Sequence, residues 1–314
     1  RARRASFEVS ETRDVLWGSF RGTEEGGRLG AGSANAGDNI AIMEGSKGTL
    51  SETTREHSGG ALEFLWSDLR LEKPWRYKAP FLLTLLYLQS AQGALEPGRA
   101  LLALAASLST IVGIAGLAYL SNDFADQGVD SKAGKPNAAA RLDAIQIAAL
   151  SCVLFVAAVA PWIFVLPVTT ASAVLLSLES ILVAAYAFPP LRLKGRGAAG
   201  VVADALYAHA VPTLLAALTY AAMSQTGAAP LWPFFGALAA WQFMLGIRNI
   251  VLHQIQDHDH DRRGNLRTWV VRVGPITAER FLRRLIVPLE LFGFTAFVAH
   301  LSHSPHTRST ASSA

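Results

Sequence analysis

From Lys78 onward, long apolar segments alternate with short loops that hold almost all of the charged residues. The apolar segments fall near residues 80–95, 100–121, 143–160, 163–188, 198–222, 229–252 and 282–302. Most of them approach or exceed the roughly 20 residues that a helix needs to cross a hydrocarbon core about 30 Å thick. Because only helices and closed barrels satisfy their backbone inside lipid, the pattern predicts an all-α, multi-pass transmembrane helical bundle with seven spans.

The composition agrees with a membrane protein and excludes other classes. Charged residues make up 17% of the 314 residues, below the roughly 25% of an ordinary soluble protein. The single cysteine, Cys152, excludes an internal disulfide, and no Cys/His motif offers a zinc site. The net charge of +4 comes from loop residues, so it gives no reason to expect nucleic-acid binding.

Three regions follow from the distribution of residue types. Residues 1–60 are rich in Gly, Ser, Thr, Glu and Arg and show no sustained hydrophobic periodicity, which indicates a disordered tail or an upstream extension. The chain begins with Arg1, and Met43 would serve as a start. We expect residues 61–302 to form the membrane domain and residues 303–314 to form a polar carboxyl-terminal tail.

Basic residues concentrate on one side of the predicted membrane. They precede the first apolar segment and follow the second, fourth and sixth, whereas the opposite loops contain little beyond Arg99. Because Lys and Arg accumulate in cytoplasmic loops, we expect the polar loops to be cytoplasmic. The residues are Arg70, Lys73, Arg76 and Lys78; Lys132, Lys135 and Arg141; Arg192, Lys194 and Arg196; and Arg262, Arg263, Arg267, Arg272 and Arg280.

The first polar loop carries four oxygen-bearing side chains at helical spacing: Asn122, Asp123, Asp126 and Asp130. If the second span continues as a helix, all four share one face. Carboxylates so close together repel one another unless a cation lies between them. Mg²⁺ prefers oxygen ligands and retains sites for substrate phosphates, so the spacing favours a magnesium site.

The third polar loop repeats this arrangement with Asp257 and Asp261, one helical turn apart. Two acidic clusters at one membrane face indicate two metal ions that hold one polyphosphate. The alternative is that each cluster is a solvated interfacial loop. Between them, Pro189 and Pro190 end the fourth span.

Arg192 and Lys194 follow those prolines and carry the charge that phosphate oxygens attract. Taken alone, these two basic residues would also be explained as a signal that sets the orientation of the protein in the membrane.

Together, the three motifs resemble the UbiA superfamily of intramembrane prenyltransferases. The resemblance rests on NDxxDxxxD at 122–130 with Lys135-Pro136 after it, YxxPPxRLK at 186–194, and DxxxD at 257–261 followed by Gly264 and Thr268. It covers about residues 75–300. The superfamily has a bundle of nine helices with two Asp-rich loops over a cavity that opens to lipid. Its members transfer a prenyl group from a Mg²⁺-bound diphosphate to an acceptor, often an aromatic ring.

The resemblance implies roles for individual residues. Prenyl diphosphate and a lipophilic or aromatic acceptor would be the substrates, with Asp126, Asp257 and Lys194 as the catalytic residues. Mg²⁺ would be held by Asn122, Asp123, Asp126, Asp130, Asp257 and Asp261. Tyr186, Arg192 and Lys194 would bind substrate. Arg248 joins this group because it lies less than three turns before Asp257.

The sequence also departs from the superfamily pattern. Lys-Pro-x-Arg-Pro is usual after the first motif, whereas Ala138 to Ala140 follow Asn137 here, so a basic contact is absent or supplied by Arg141. Gln254 stands where many relatives have another Asp. Seven spans instead of nine predict a shortened or non-standard carboxyl end.

Several ionisable residues lie inside the predicted spans, where they are costly and usually face a cavity or one another. Glu179 and Asp204 are candidates for the acceptor site or for proton acceptance; alternatively they pair with Arg248 or His209 and hold the bundle. His253, His258 and His260 interleave with the second acidic cluster and suit a softer metal such as Zn²⁺. We interpret these three as solvated loop residues.

Two other functions fit parts of the pattern. A terpene cyclase on the same scaffold would use the same diphosphate site without an acceptor. A cation transporter or channel would place acidic clusters at a pore mouth, but it predicts more charge within the spans or an inverted repeat.

Overall fold

The computed structural model describes residues 70–91, 96–223 and 232–302. Within these ranges the secondary structure is helical, apart from an isolated bridge between Gly197 and Thr268. The predicted tails at 1–60 and 303–314, and Met43 with them, lie outside the described residues.

The helices follow one another in an all-α bundle, as the apolar segments predict. Among the described residues six helices, against seven predicted spans, are long and apolar enough to cross a membrane, and the first helix adds a shorter apolar stretch at Lys78–Leu88. Two short helices lie between the last two of the six in the chain. The bounds are α1 Glu72–Ala91, α2 Pro97–Ala133, α3 Ala144–Phe164, α4 Thr170–Ala187, α5 Ala198–Met223, α6 Trp232–Gln256, α7 His258–Arg263, α8 Trp269–Val273 and α9 Pro275–Leu301.

Helix α4 begins seven residues later than the predicted segment at 163–188. Pro167 supplies no backbone donor, and the chain is non-helical from 167 to 169. Thr169 then caps α4: its side chain accepts from the Ser172 amide, and the Ser172 hydroxyl accepts from the Thr169 amide. Local proline and cap chemistry therefore divides one apolar run between α3 and α4.

Close approach between helices depends on small residues, as is usual in membrane bundles. A Cβ atom at Gly113 of α2 would lie 2.6 Å from the Ala158 amide nitrogen of α3. Beside this contact, the Thr110 hydroxyl donates to the Ala158 carbonyl at 3.1 Å and accepts from the Trp162 indole at 3.1 Å. These contacts fix α2 against α3.

The outer surface of the bundle is apolar. Ile145 and Phe164 at the two ends of α3 are each 80% exposed, and Phe292 of α9 is 74% exposed. Such a surface suits hydrocarbon rather than water.

Helix α2 runs without interruption through the first motif and ends at Gly134, which adopts φ 66°. The connections α4–α5 and α6–α8 lie at the same end of the bundle. They are tied by the Gly197–Thr268 bridge and by the Arg272 guanidinium, which donates to the Gly195 carbonyl at 3.0 Å. The fold therefore brings all three motifs together.

Candidate functional site

One cavity at this end of the bundle is lined by residues of all three motifs. Among the predicted site residues, five carboxylates line it, together with an amide, a phenol and an ammonium group. These residues are Asn122, Asp123, Asp126, Asp130, Asp257, Asp261, Tyr186 and Lys194. The structure thus brings together every predicted metal ligand.

The first acidic cluster lies on one face of α2, as its spacing predicts. Asp123 and Asp126 are buried, with 2% and 4% of their surface exposed. Asp126 forms ion pairs with the guanidinium of Arg192 at 2.9 Å and with the ammonium of Lys194. The Lys194 ammonium also donates to the Asn122 amide oxygen at 2.7 Å. The second motif is therefore held against the first by charge-assisted hydrogen bonds.

Arg192 and Lys194 lie in the loop after α4 and differ in their position relative to the cavity. Arg192 adopts φ 37°, a left-handed conformation that is rare for a residue with a side chain. Its guanidinium reaches Asp126 without lining the cavity, whereas Lys194 lines it and is 5% exposed. Burial lowers the pKa of Lys194 to about 8, against the opposing effect of the Asp261 and Asp123 carboxylates.

Asn137 belongs to the first cluster, although its sequence position gives no such indication. Its amide donates to the Asp123 carbonyl and to an Asp130 carboxylate oxygen, each at 2.7 Å. The Ala138 amide donates to Asp123 at 3.3 Å. The Lys-Pro-Asn segment after α2 therefore folds back and orients the carboxylates, while Arg141 is not among the residues that line the cavity.

The two carboxylates of the second acidic cluster, Asp257 and Asp261, lie one helical turn apart, as predicted. Asp257 follows the last residue of α6, and its carbonyl accepts from the Asp261 amide at 2.9 Å. Burial acts to raise the pKa of Asp257, but the hydrogen bond from Lys135 and the charges of Lys135, His253 and His260 together outweigh burial and lower this pKa. Burial raises the pKa of Asp261 despite the hydrogen bond that the Thr268 hydroxyl donates at 3.1 Å.

A lysine connects the two clusters. The Lys135 ammonium donates to an Asp257 carboxylate oxygen at 2.6 Å and lines the cavity. The sequence shows Lys135 only as part of a motif, because a contact between residues 122 positions apart has no local signal.

The three histidines that are predicted to be solvated loop residues differ in their surroundings. His253 and His260 line the cavity, and the Nδ1 atom of His260 is buried without a hydrogen-bond partner among the described residues. His258 instead contacts the exposed Asp259 carboxylate at 3.0 Å. The prediction is therefore wrong for His260.

Arg248 is also placed differently from the prediction. It does not line the cavity, and its guanidinium forms a bidentate pair with Glu290 of α9 at 2.6 and 3.0 Å. The pair joins α6 to α9, so Arg248 acts in helix packing. The alternative in which Glu179 or Asp204 pairs with Arg248 is not observed either.

Gln254, where relatives often carry an Asp, is buried at the cavity wall. The Oε1 atom of its side chain accepts a hydrogen bond from the Val270 backbone amide at 3.2 Å. This position therefore links α6 to α8.

The donor set fits Mg²⁺. All predicted ligands are oxygen donors on one cavity, and among the described residues no three Asp, Glu, His or Cys side chains form a metal-binding group by themselves. Mg²⁺ is usually bound by one or two carboxylates and keeps waters and substrate phosphates as its other ligands. The oxygen donors on this cavity therefore match the ligand type that Mg²⁺ prefers.

Comparison with known proteins identifies a family. The profile of the UbiA prenyltransferase family matches residues 79–306. No curated protein sequence matches the chain. Two solved structures of a UbiA homolog from Archaeoglobus fulgidus, one bound to DMAPP and Mg²⁺ and one to GPP and Mg²⁺, share 18% identity with it. Each alignment covers 74% of this chain and 76% of the homolog, with a TM-score of 0.49.

Proposed function

This chain belongs to the UbiA prenyltransferase family, and on that premise we propose that it is a membrane enzyme that transfers a prenyl group from a Mg²⁺-bound prenyl diphosphate to a lipophilic or aromatic acceptor. The observation that carries this proposal is the single cavity shared by both acidic clusters and Lys194. A diphosphate needs positive charge from several directions, which Mg²⁺ at the two acidic clusters and the Lys194 ammonium would supply together.

The proposed metal ligands are Asn122, Asp123, Asp126, Asp130, Asp257 and Asp261. When bound there, Mg²⁺ supplies positive charge that stabilises the diphosphate as it leaves. Lys194 and Lys135 line the same cavity and donate to the remaining phosphate oxygens. Arg192 supports Lys194 by holding Asp126 from the other side. Together these groups lower the free energy of the charge that develops as the C–O bond breaks.

The product of that bond cleavage is an allylic carbocation, which needs an apolar surrounding. Tyr186 lines the cavity, and its ring packs edge to face with Tyr207 at a centroid distance of 5.3 Å. Aromatic faces stabilise cations, and the apolar helices exclude water that would otherwise capture the carbocation. The acceptor then contributes an electron pair to the prenyl carbon and loses a proton.

We place the cavity on the cytoplasmic side of the membrane. The support is the excess of Lys and Arg in the loops at this end, including Arg262, Arg263 and Arg267.

The release of diphosphate from a prenyl diphosphate measures the proposed prenyl transfer. We expect full-length protein in membranes, with Mg²⁺ and a labelled series of prenyl diphosphates, to release diphosphate when candidate acceptors are present. Asp126→Ala and Asp257→Ala should each abolish the release. Asp259→Ala is the matched control, because this carboxylate lies in the same loop with 81% of its side chain exposed.

Unchanged release by Asp126→Ala and Asp257→Ala would refute the proposed metal site. Product formation without any acceptor would instead assign the chain to the terpene cyclases.

A further inference from the structure

Helix α9 carries three arginines near its start that the proposed chemistry does not use. We call Arg280, Arg283 and Arg284 the α9 arginine cluster, and all three are exposed. The last two lie inside the apolar segment at 282–302 that predicts the final span, and they occupy a π-helical turn at Leu282–Ile286. Turns of this kind occur frequently at functional sites. An arginine within a span is costly unless it has a partner or reaches the lipid headgroups.

The α9 arginine cluster has no partner within the described ranges 70–91, 96–223 and 232–302. None of its guanidinium groups forms a hydrogen bond or an ion pair there, and Glu279 forms no ion pair with Arg283 one turn later. Other arginines at this end of the bundle are satisfied by the protein. Arg196, for example, donates to the Pro190 carbonyl at 2.8 Å.

The position of the cluster along α9 corresponds to the headgroup layer of a membrane. Leu301, where the span ends, lies 17 positions after Arg284, which corresponds to about 26 Å of helix. A hydrocarbon core is about 30 Å thick, so the cluster lies at one edge of the core when Leu301 lies at the other. Trp269 of α8 packs against Phe281 at a centroid distance of 5.0 Å, and tryptophan is enriched at this interface.

The same face of α9 continues into exposed apolar side chains. Val287 follows Arg280 by seven positions, and Leu291 follows Arg284 by seven, so each pair shares a helix face. Val287 is 36% exposed and Leu291 is 60% exposed. A phosphate at the arginines would therefore have its acyl chains along this apolar surface.

We propose that the α9 arginine cluster binds the headgroup of an anionic phospholipid, of which phosphatidylglycerol is the simplest case. A guanidinium group donates two parallel hydrogen bonds to phosphate oxygens. Three such groups at positions i, i+3 and i+4 lie within about one helical turn and can contact one headgroup together. The inference does not depend on the proposed prenyl transfer, since none of the three residues lines the cavity.

The local charge favours a headgroup with a net negative charge. Between Pro275 and Ile286, Glu279 is the only acidic residue against three arginines. The ammonium group of a zwitterionic headgroup would be repelled by the same arginines. Basic residues at a membrane end also set orientation. Orientation requires only charge at that end, however, whereas a headgroup site depends on where the charge lies on the protein surface.

Direct lipid binding tests the proposal. Purified full-length protein in a neutral maltoside detergent is titrated with phosphatidylglycerol or phosphatidylcholine of identical, fluorescently labelled acyl chains, and fluorescence anisotropy gives the two Kd values. We expect phosphatidylglycerol to bind at least about twentyfold more tightly, since each basic residue near an anionic headgroup contributes about fivefold. Combined Arg280→Gln, Arg283→Gln and Arg284→Gln should reduce phosphatidylglycerol affinity to that of phosphatidylcholine.

A matched control removes the same number of charges elsewhere. Combined Arg262→Gln, Arg263→Gln and Arg267→Gln changes three exposed arginines of α7 and the loop after it, and this variant should keep the lipid preference. Melting temperatures check that both triple variants are folded. If the α9 variant does not fold, Arg284→Gln alone should weaken phosphatidylglycerol binding about fivefold.

Glycerol 3-phosphate separates a lipid site from a site for free phosphate, because it carries the phosphate without acyl chains. It should not displace phosphatidylglycerol, and displacement at a similar concentration would overturn the assignment of a lipid. Equal affinity of the wild type for the two lipids would also overturn the proposal. An equal loss in the α7 and α9 variants would do the same, because net charge alone would then explain the binding.

Discussion

The Lys135 ammonium, just beyond the end of α2, donates a 2.6 Å hydrogen bond to Asp257 at the end of α6. The two acidic clusters are thus joined by a cation that also lines the cavity. A phosphate oxygen placed between the clusters would meet the same ammonium, so we predict that Lys135 binds substrate in addition to holding Asp257.

Replacement of Lys135 by Met should raise the KM for prenyl diphosphate about tenfold or more, since a charge-assisted hydrogen bond to phosphate is lost. Initial rates of diphosphate release measure the effect. Lys132→Met is the matched control, because Lys132 is exposed near the end of α2 and does not line the cavity. Equal KM values for the two variants would contradict the assigned role.

Removal of Mg²⁺ by EDTA should abolish prenyl diphosphate binding, and added Mg²⁺ should restore it. The physical reason is that five carboxylates on one cavity repel a diphosphate unless cations compensate them. Isothermal titration with a non-hydrolysable thio analogue of the diphosphate checks this without turnover. In Asp126→Asn with Asp257→Asn, binding should depend much less on Mg²⁺; full dependence in this double variant would place the metal elsewhere.

Replacement of Gly113 by Ala should destabilise the bundle by about 1–3 kcal/mol, the usual cost of overpacking. The new Cβ would lie 2.6 Å from backbone atoms of α3, which cannot move aside as a side chain can. Gly128→Ala in the same helix is the control, because no atom lies within 4 Å of its Cβ position. Thermal unfolding in detergent compares them, and equal melting temperatures would contradict the observed α2–α3 contact.

Glu96 should stabilise the start of α2 in a pH-dependent way. Its carboxylate accepts from the Gly98 and Arg99 amides at 3.0 and 3.1 Å, and these hydrogen bonds lower its pKa below 4.5. A lowered folded-state pKa gives stability that is present above the unfolded pKa and lost as pH falls through the folded value.

The melting temperature of Glu96→Ala should therefore fall below that of the wild type at pH 7, and the difference should shrink toward pH 3. A difference that is independent of pH would indicate that the carboxylate charge makes no contribution.

The architecture could be predicted from the sequence because lipid imposes a strong and local constraint. Apolar length alone located the six long helices, and the i, i+4 spacing correctly placed Asp126 and Asp130 on one helix face. The family match confirms the resemblance drawn from the three motifs. Helix starts were less predictable: Pro167 and the Thr169 cap delay α4, and a hydropathy pattern does not register either effect.

The partners of the charged residues could not be predicted in the same way. Arg248 has a carboxylate 42 positions later as its partner, and Lys135 has one 122 positions later. Such pairs depend on how helices are rotated about their axes, which a single sequence leaves open. The burial of the His260 Nδ1 atom likewise results from packing between α7 and its neighbours. Span ends are encoded locally, whereas the electrostatics of the site is a property of the assembled bundle.

The length of α2 has a mechanical consequence. Its 37 residues extend about 55 Å, well beyond a hydrocarbon core of about 30 Å. The four ligand candidates therefore sit near one end of an uninterrupted rod whose middle is embedded in lipid. Transmembrane helices that are longer than the bilayer is thick tilt relative to the membrane normal. Any such tilt would displace Asn122, Asp123, Asp126 and Asp130 together, because all four lie on this one helix.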